Sequence, residues 1–205
     1  MRHPRAGPLG LAVAVLLVLL AGGTALLFVT RGTPPSRTLK AGVFDPVSAA
    51  PGFALRGSDG TEVSLARYRG KVVLLTFGYT HCAAVCPTTL ATLAQAGKGL
   101  GAAAAKVQVI YATVDPERDS AEHMRRYLAA FDPTFIGVTD APEALVAMRE
   151  DYGVTAARQG TGPDYAMAHT SSIFLIDPAG KLRGVMPYGH DAADFVHDVQ
   201  LLLAG

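Results

Sequence analysis

Cysteine and tryptophan are scarce in this sequence of 205 residues. It holds two cysteines and no tryptophan, and the cysteines are Cys82 and Cys86. Two thiols this close cannot form the disulfide framework of a small secreted domain, and a chain of this length can bury a core without one. Their closeness instead indicates a local chemical role.

An excess of charge of one sign is also lacking. Lys and Arg number 18, Asp and Glu number 17, and no block of basic residues stands out. The sequence therefore lacks the electrostatic pattern of a nucleic-acid-binding protein, and no nucleic acid is expected as a partner. Hydrophobic residues make up 50% of the chain. This content, with a net charge near zero, predicts a folded domain rather than a disordered chain.

One long hydrophobic run is present, at residues 9–29, and it carries no charge. As a helix it is long enough to cross a hydrocarbon core of about 30 Å. The alternative is a cleaved signal peptide, for which Ala21 and Gly22 could supply the small residues of a cleavage site. Because the apolar run continues to Val29, we interpret residues 1–30 as a tail and a single transmembrane helix.

The basic residues on the two sides of this run nearly balance, so their count does not decide the orientation. We expect the usual arrangement for a short N-terminal tail, which leaves the tail inside. The soluble domain would then lie on the periplasmic side of the inner (cytoplasmic) membrane. Residues 31–50 contain Pro34, Pro35 and Pro46 without a sustained apolar period, and they are expected to be a flexible linker.

Residues 51–205 alternate between strand and helix patterns. A hairpin is predicted at 53–65 around the turn at Asp59 and Gly60, and the apolar run 71–77 predicts a strand buried on both faces. The predicted elements that follow are helix 87–100, strand 107–114, a helix capped by Ser120, strand 135–138, helix 142–152, strands 171–176 and 181–186, and a helix capped by Asp191. This order predicts an α/β domain with a thioredoxin-like fold behind an N-terminal β-hairpin.

Cys82 and Cys86 lie at the predicted turn from strand 71–77 into helix 87–100. Residues four apart on a helix share one face, so both sulfurs can reach one acceptor. A helix N-terminus also lowers a thiol pKa, because its free N–H groups favour the thiolate. The thiolate is the form that binds metals and attacks disulfides.

Three kinds of chemistry compete for this pair. Redox dithiols usually have two intervening residues and a preceding tryptophan, whereas this pair has three and no tryptophan. Structural zinc needs four nitrogen or sulfur ligands. Cu(I) is satisfied by two thiolates and one imidazole, so the pattern favours copper. A disulfide-linked pair without function is the remaining alternative.

His169 is the candidate third ligand. It precedes the predicted strand 171–176, and in a thioredoxin-like domain the loop entering this strand faces the cysteine turn. Thioredoxin-type oxidoreductases usually carry a cis-proline there, which this sequence lacks. We expect the His81 side chain to point away from the cysteines. Of the other histidines, His3 lies before the membrane segment, His123 and His197 are expected on solvated helix faces, and His190 is expected in a loop.

Asp115 ends the predicted strand 107–114 and precedes Pro116. It is either the first residue of a turn or a carboxylate that lies near the metal ligands without binding the metal itself. Carboxylates are hard ligands, so direct binding of Cu(I) is not expected.

The sequence resembles the Sco/SenC family of copper chaperones in three segments, residues 70–87, 114–119 and 168–180. The resemblance spans the whole predicted soluble domain, and it implies that Cys82, Cys86 and His169 bind copper as Cu(I), with Cu(II) a further form. It also implies delivery to the binuclear copper centre of cytochrome c oxidase subunit II, outside the membrane. Other periplasmic copper carriers are further expected partners. Ala83 departs from the pattern, since many relatives have proline after the first cysteine.

The resemblance implies a metallochaperone rather than an enzyme. The same two thiols, Cys82 and Cys86, could also form a redox-active disulfide, which would abolish copper binding by the thiolates. The alternative function is therefore a thiol–disulfide reductase that keeps the copper-ligand cysteines of the target reduced. A peroxidase is a weaker alternative, because no resolving partner or activating arginine can be identified.

Overall fold

The apolar run at Val72–Gly78 forms the central strand of the fold in the computed structural model, which describes residues 38–205. All seven residues of this strand are buried, as its unbroken hydrophobic pattern predicts. Its C-terminal end leads into the turn that carries both cysteines.

Ten strands, four α-helices and two 3-10 helices make up the described part of the chain. The strands are β1 (Gly42–Ala49), β2 (Ala54–Arg56), β3 (Glu62–Ser64), β4 (Val72–Gly78), β5 (Val107–Thr113), β6 (Ile136–Val138), β7 (Ala156–Gln159), β8 (Ala166–His169), β9 (Ser172–Ile176) and β10 (Lys181–Pro187). The helices are α1 (Val85–Leu100), α2 (Ala121–Ala129), α3 (Pro142–Asp151) and α4 (Ala192–Ala204), and the 3-10 helices are Leu65–Tyr68 and Gly101–Lys106.

Six strands form one mixed sheet in the order β1-β10-β9-β4-β5-β6. Strands β4, β5 and β6 are parallel, with α1 and α2 in the crossovers that parallel strands require. Strands β9, β10 and β1 add to the sheet in antiparallel fashion. The predicted hairpin is present as the separate pair β2–β3. The α/β architecture expected from the order of elements is therefore confirmed.

Local capping chemistry sets the beginnings of two helices. The Ser120 hydroxyl accepts a hydrogen bond from the His123 N–H, and the Asp191 carboxylate accepts one from the Asp194 N–H. Both caps were predicted from the sequence. Helix α1, in contrast, begins at Val85 rather than at Pro87, so that Cys86 lies inside its first turn.

The segment expected to be a flexible linker, residues 31–50, contains a strand. Strand β1 pairs with β10 at the edge of the main sheet, and all eight of its residues are exposed. Before it, the Lys40 and Ala41 N–H groups donate to the buried Asp198 carboxylate of α4, at 2.7 and 2.8 Å. The folded unit consequently starts at Thr38, ahead of the expected boundary at residue 51.

The hairpin β7–β8 was not predicted either. Its turn contains Gly160 and Gly162, which adopt φ values of 88° and 81°, a left-handed region that glycine enters without a Cβ penalty. The glycine-rich segment ahead of His169 is therefore the loop of a hairpin, and His169 is the last residue of β8.

The predicted transmembrane segment, residues 9–29, lies outside the described residues. Between residues 38 and 205, no helix combines the length and the hydrophobicity needed to span a membrane.

Replacing Asp198 with alanine tests the corrected domain boundary. Asp198→Ala leaves the Lys40 and Ala41 N–H groups without their acceptor, and each unpaired buried group costs about 1–3 kcal/mol. Because two such groups lose their acceptor, we expect the free energy of unfolding, measured by urea denaturation, to fall by at least about 1–3 kcal/mol. The control Asp151→Ala removes an exposed carboxylate at the end of α3 and should change stability by less than about 0.5 kcal/mol. Equal stability of the two variants would contradict the assignment of residues 38–41 to the folded unit.

Candidate metal site

The turn between β4 and α1 holds both cysteines within one helical turn of each other. Cys82 precedes the helix, and Cys86 is its second residue. The Cys86 N–H donates to Cys82 Sγ at 3.5 Å, and the two side chains are also in hydrogen-bonding contact. Both are free thiols in this structure. The predicted convergence of the two sulfurs is thus present.

The two thiols differ in accessibility and acidity. Burial acts to raise the pKa of Cys82, but hydrogen bonds from the N–H groups of Cys86, Ala84 and Val85 outweigh it, so the pKa is lowered. Cys86 is only 3% exposed, and burial raises its pKa to about 12. The expected effect of the helix N-terminus therefore holds for Cys82, whereas for Cys86 desolvation is larger.

His169 reaches the cysteines from the other side of the site. Its Nε2 lies 3.7 Å from Cys86 Sγ, although the two residues are 83 positions apart in the chain. Its Nδ1 lies 2.9 Å from the Thr170 carbonyl oxygen. A carbonyl can only accept, so Nδ1 carries the hydrogen and the Nε2 lone pair faces the thiol. This is the tautomer that a metal-binding imidazole needs.

The separation of Cys86 Sγ and His169 Nε2 fits one shared metal ion, although the ligand atoms of Cys82, Cys86 and His169 do not all lie within 4.8 Å of one another. Bonds of about 2.3 Å to thiolate and about 2.0–2.1 Å to imidazole, at an angle of about 110–120°, place the two ligand atoms about 3.6–3.8 Å apart. The observed distance of 3.7 Å lies in this range. Two thiolates and one imidazole also form the soft ligand set that suits Cu(I).

Asp115 lies beside the site without a hydrogen bond to the cysteines or to His169 among those of residues 38–205. Its carboxylate accepts from Arg118 Nε at 2.6 Å and from the Tyr165 hydroxyl at 2.5 Å. The Arg118 guanidinium lies 5.8 Å from the centre of the Tyr79 ring, and that ring meets the imidazole of His169 edge-on at 5.9 Å. Arg118 and Tyr79 therefore form one link between Asp115 and the imidazole.

Tyr165 attaches the β7–β8 hairpin to the loop after β5. Its ring is stacked by the guanidinium groups of Arg118 and Arg158, at 3.6 and 3.7 Å from the ring centre. Together with the hydrogen bond to Asp115, these contacts hold the hairpin that ends at His169. The sequence analysis did not identify Arg118 and Tyr165 as the partners of Asp115. Arg118 lies within the motif at 114–119 and could have been found there, but nothing in the sequence marks Tyr165.

Two other histidines lie close to the cysteine turn. His81 points away from the cysteines, as expected, and its Nδ1 lies 3.9 Å from Asp119 Oδ1. His123 was expected on a solvated helix face, and this was wrong. It is half-buried, with Nε2 at 3.0 Å from the hydroxyl of Thr80. The cause is tertiary, since α2 packs this residue against the turn after β4.

Comparison with curated proteins identifies relatives of this chain. The SCO2 homolog of mouse mitochondria is 32% identical over 156 residues, which is 74% of this chain and 61% of the relative. The bovine mitochondrial SCO2 homolog is 36% identical over 156 residues, covering 74% of this chain and 59% of the relative. The chain thus spans about three fifths of the length of these two proteins.

Solved structures are similar over nearly all of their own length. ScoI of Bradyrhizobium japonicum, described with copper bound, is 33% identical with a TM-score of 0.69, and the match covers 75% of this chain and 98% of ScoI. Apo Sco1 of Thermus thermophilus is 36% identical with a TM-score of 0.74, over 83% and 99% of the two chains.

The family model described as SCO1/SenC matches residues 45–204. This range contains the whole of the candidate metal site and all strands from β2 to β10. From this match, and from relatives more than 30% identical, it follows that the chain belongs to the SCO1/SenC family.

Proposed function

We propose that this protein is a copper chaperone that holds one Cu(I) ion through Cys82, Cys86 and His169. The observation that carries the proposal is the 3.7 Å separation of Cys86 Sγ and His169 Nε2, with the nitrogen lone pair directed at the sulfur. The copper-bound state of ScoI, which is 33% identical, supports the same cargo. The copper ion would be cargo rather than a resident cofactor, because a chaperone releases its metal to a target.

The difference between the thiols suggests the order of loading and release. Cys82 is the more accessible thiol and has the lowered pKa, so it meets an incoming Cu(I) as thiolate. Cys86 then exchanges its proton for the metal, and His169 Nε2 completes the set. Release reverses this order, with ligands of the target replacing Cys82 first. A three-ligand ion stays open to an incoming ligand, so transfer needs no free copper.

Asp115 acts on the site indirectly in this proposal. Its carboxylate fixes Arg118 and Tyr165, and these side chains hold Tyr79 and the β7–β8 hairpin around His169. We assign it as a positioning residue and not as a copper ligand, in keeping with its hard oxygen atoms.

The destination of the copper is proposed to be the binuclear centre of cytochrome c oxidase subunit II. The family relationship supports a role in assembly of that oxidase. The hydrophobic run at residues 9–29 would tether the domain to the inner membrane on its periplasmic side, where it could also accept copper from other periplasmic carriers.

A second candidate function is reduction of the target's disulfide, and the unequal thiols favour it. The Cys82 thiolate would attack one sulfur of the target disulfide and release the other as a thiol. Cys86 would then attack Cys82 Sγ, forming the Cys82–Cys86 disulfide and releasing the second target thiol. Two electrons pass from the cysteine pair to the target.

Substitution of His169 separates the two functions. His169→Ala removes the nitrogen ligand, so we expect Cu(I) affinity, measured by competition with a chromogenic chelator, to fall at least about tenfold. A tenfold fall is the smallest effect typical of losing a residue that only hydrogen-bonds to a metal ligand, so the loss of a ligand itself should cost at least as much. Thiol–disulfide exchange by Cys82 and Cys86, measured with a small disulfide, should persist.

The matched control is His190→Ala, which removes a loop histidine paired with Asp194 at 2.8 Å and should leave Cu(I) affinity unchanged. Cys82→Ser and Cys86→Ser should each abolish tight binding. Unchanged affinity in His169→Ala, or full binding in Cys82→Ser, would refute the assigned ligand set.

The high pKa of Cys86 predicts a pH dependence of copper binding. Below a pKa of about 12 the thiol is protonated, so Cu(I) competes with this proton and its binding releases it. We expect Cu(I) affinity to rise at least about tenfold per pH unit between pH 7 and 9. A competition titration against a chelator of known pH dependence measures this slope, and an affinity that is constant or falls would contradict the exchange of proton for metal.

Delivery can be measured with the copper domain of subunit II. The copper-loaded full chain, mixed in twofold excess with the reduced metal-free domain and then treated with a one-electron oxidant such as ferricyanide, should generate the visible absorption of the mixed-valence binuclear centre. The His190→Ala chain should do the same. Formation of the centre at the same rate from chelated Cu(I) alone would contradict a chaperone role.

A further inference from the structure

A second set of metal-ligating side chains lies beside the cysteine turn. His81, Asp119 and His123 each offer one ligand atom, and these three atoms lie within 4.8 Å of one another. They come from three places in the fold: the turn after β4, the loop before α2, and the first turn of α2. Within residues 38–205, this is the one group of three or more histidine, cysteine or acidic side chains whose ligand atoms all lie that close together, and the Cys82, Cys86 and His169 set does not meet this distance.

Asp119 gives this cluster its charge. The residue is 0% exposed, and its carboxylate accepts from the Thr80 N–H, from the Thr80 hydroxyl and from the Thr113 hydroxyl at 2.7 Å. These donors are neutral. The basic side chain within 4 Å of the carboxylate is His81, at 3.9 Å. A buried carboxylate that lacks a close cation is costly, and a bound metal ion would compensate it.

The ligand atoms converge on one point, which the Thr80 hydroxyl marks. Its oxygen lies 3.2 Å from His81 Nδ1, 3.0 Å from His123 Nε2 and 2.5 Å from Asp119 Oδ1. The two imidazole rings are stacked with their centres 5.8 Å apart. Both rings therefore already direct a nitrogen toward the same space as the carboxylate.

The three ligand atoms need to move only a short distance toward one another to bind an ion. Ligand atoms about 2.0–2.2 Å from a tetrahedral metal lie about 3.3–3.5 Å from one another, compared with at most 4.8 Å here. The His81 side chain is exposed, so its ring can rotate inward, and the Thr80 hydroxyl would turn away from the centre. The buried carboxylate and the half-buried His123 would remain in place.

We propose that His81, Asp119 and His123 form a second metal site, which binds a divalent transition-metal ion. Two imidazoles and a carboxylate suit divalent ions such as Cu(II) or Zn(II), whereas Cu(I) prefers thiolates. Three protein ligands also leave a position for water or for an incoming group. This site goes beyond the proposed Cu(I) chaperone function, and it stands independently of that function.

The test uses Cu(II) as the probe, because it ranks highest in affinity among the first-row divalent ions. The full chain carries Cys82→Ser, Cys86→Ser and His169→Gln to remove the thiolate site. His3→Gln is added because His3 lies outside the described residues. Titration should show one bound Cu(II), and its electron paramagnetic resonance spectrum should show coupling to two imidazole nitrogens.

Single substitutions on this background identify the ligands. His81→Gln and His123→Gln should each weaken Cu(II) binding at least about tenfold and remove one nitrogen from the spectrum. His190→Gln is the matched control, since His190 also faces a carboxylate, that of Asp194 at 2.8 Å. It should change neither the affinity nor the spectrum.

The proposal is overturned if the background chain binds no Cu(II), or if His81→Gln and His123→Gln both leave the affinity unchanged. The cluster would then be a hydrogen-bonding hub alone. Because His81 is exposed, His81→Gln is expected to fold, and circular dichroism checks this. Cu(I) competition with the unmodified chain reports the chaperone function separately, so each proposal can fail without the other.

Discussion

The attachment of the β7–β8 hairpin to the loop after β5 is the contact on which the candidate metal site depends. The cysteines and His169 are more than 80 positions apart, and local structure alone cannot bring them together. Tyr165 makes the connection through its hydrogen bond to Asp115 and through the stacked Arg118. Since His169 ends this hairpin, its distance from Cys86 follows from a buried carboxylate that does not itself touch the site.

The two thiols share one turn but differ in environment. Backbone N–H groups at the start of α1 stabilise the thiolate of Cys82, whereas the core around Cys86 disfavours charge. This difference provides one accessible sulfur for exchange and one protected sulfur for retention. A chaperone needs both properties, and a thiol–disulfide reductase would use the same difference for another purpose.

Two ligand sets of opposite character meet at the turn after β4. Cys82 and Cys86 offer soft sulfur on one side, and the adjacent His81 points to the buried Asp119 and to His123 on the other. Because His81 and Cys82 are neighbours in the chain, their side chains diverge toward different partners. In the two proposals, a single turn would thereby supply ligands for a soft monovalent ion and for a harder divalent one.

Features that depend on neighbouring residues could be predicted from the sequence. The unbroken apolar run predicted the buried strand β4, the hydroxyl and carboxylate of Ser120 and Asp191 predicted two helix caps, and the four-residue spacing predicted the convergence of Cys82 and Cys86. The remaining features arise from contacts between distant segments. Strand β1 is exposed along its whole length, so its sequence has no alternation of apolar and polar residues that would predict a strand. Its strand conformation follows from pairing with β10. The partners of Asp115, the half-burial of His123 and the high pKa of Cys86 likewise depend on packing between distant segments, whose desolvation and contacts no local pattern encodes.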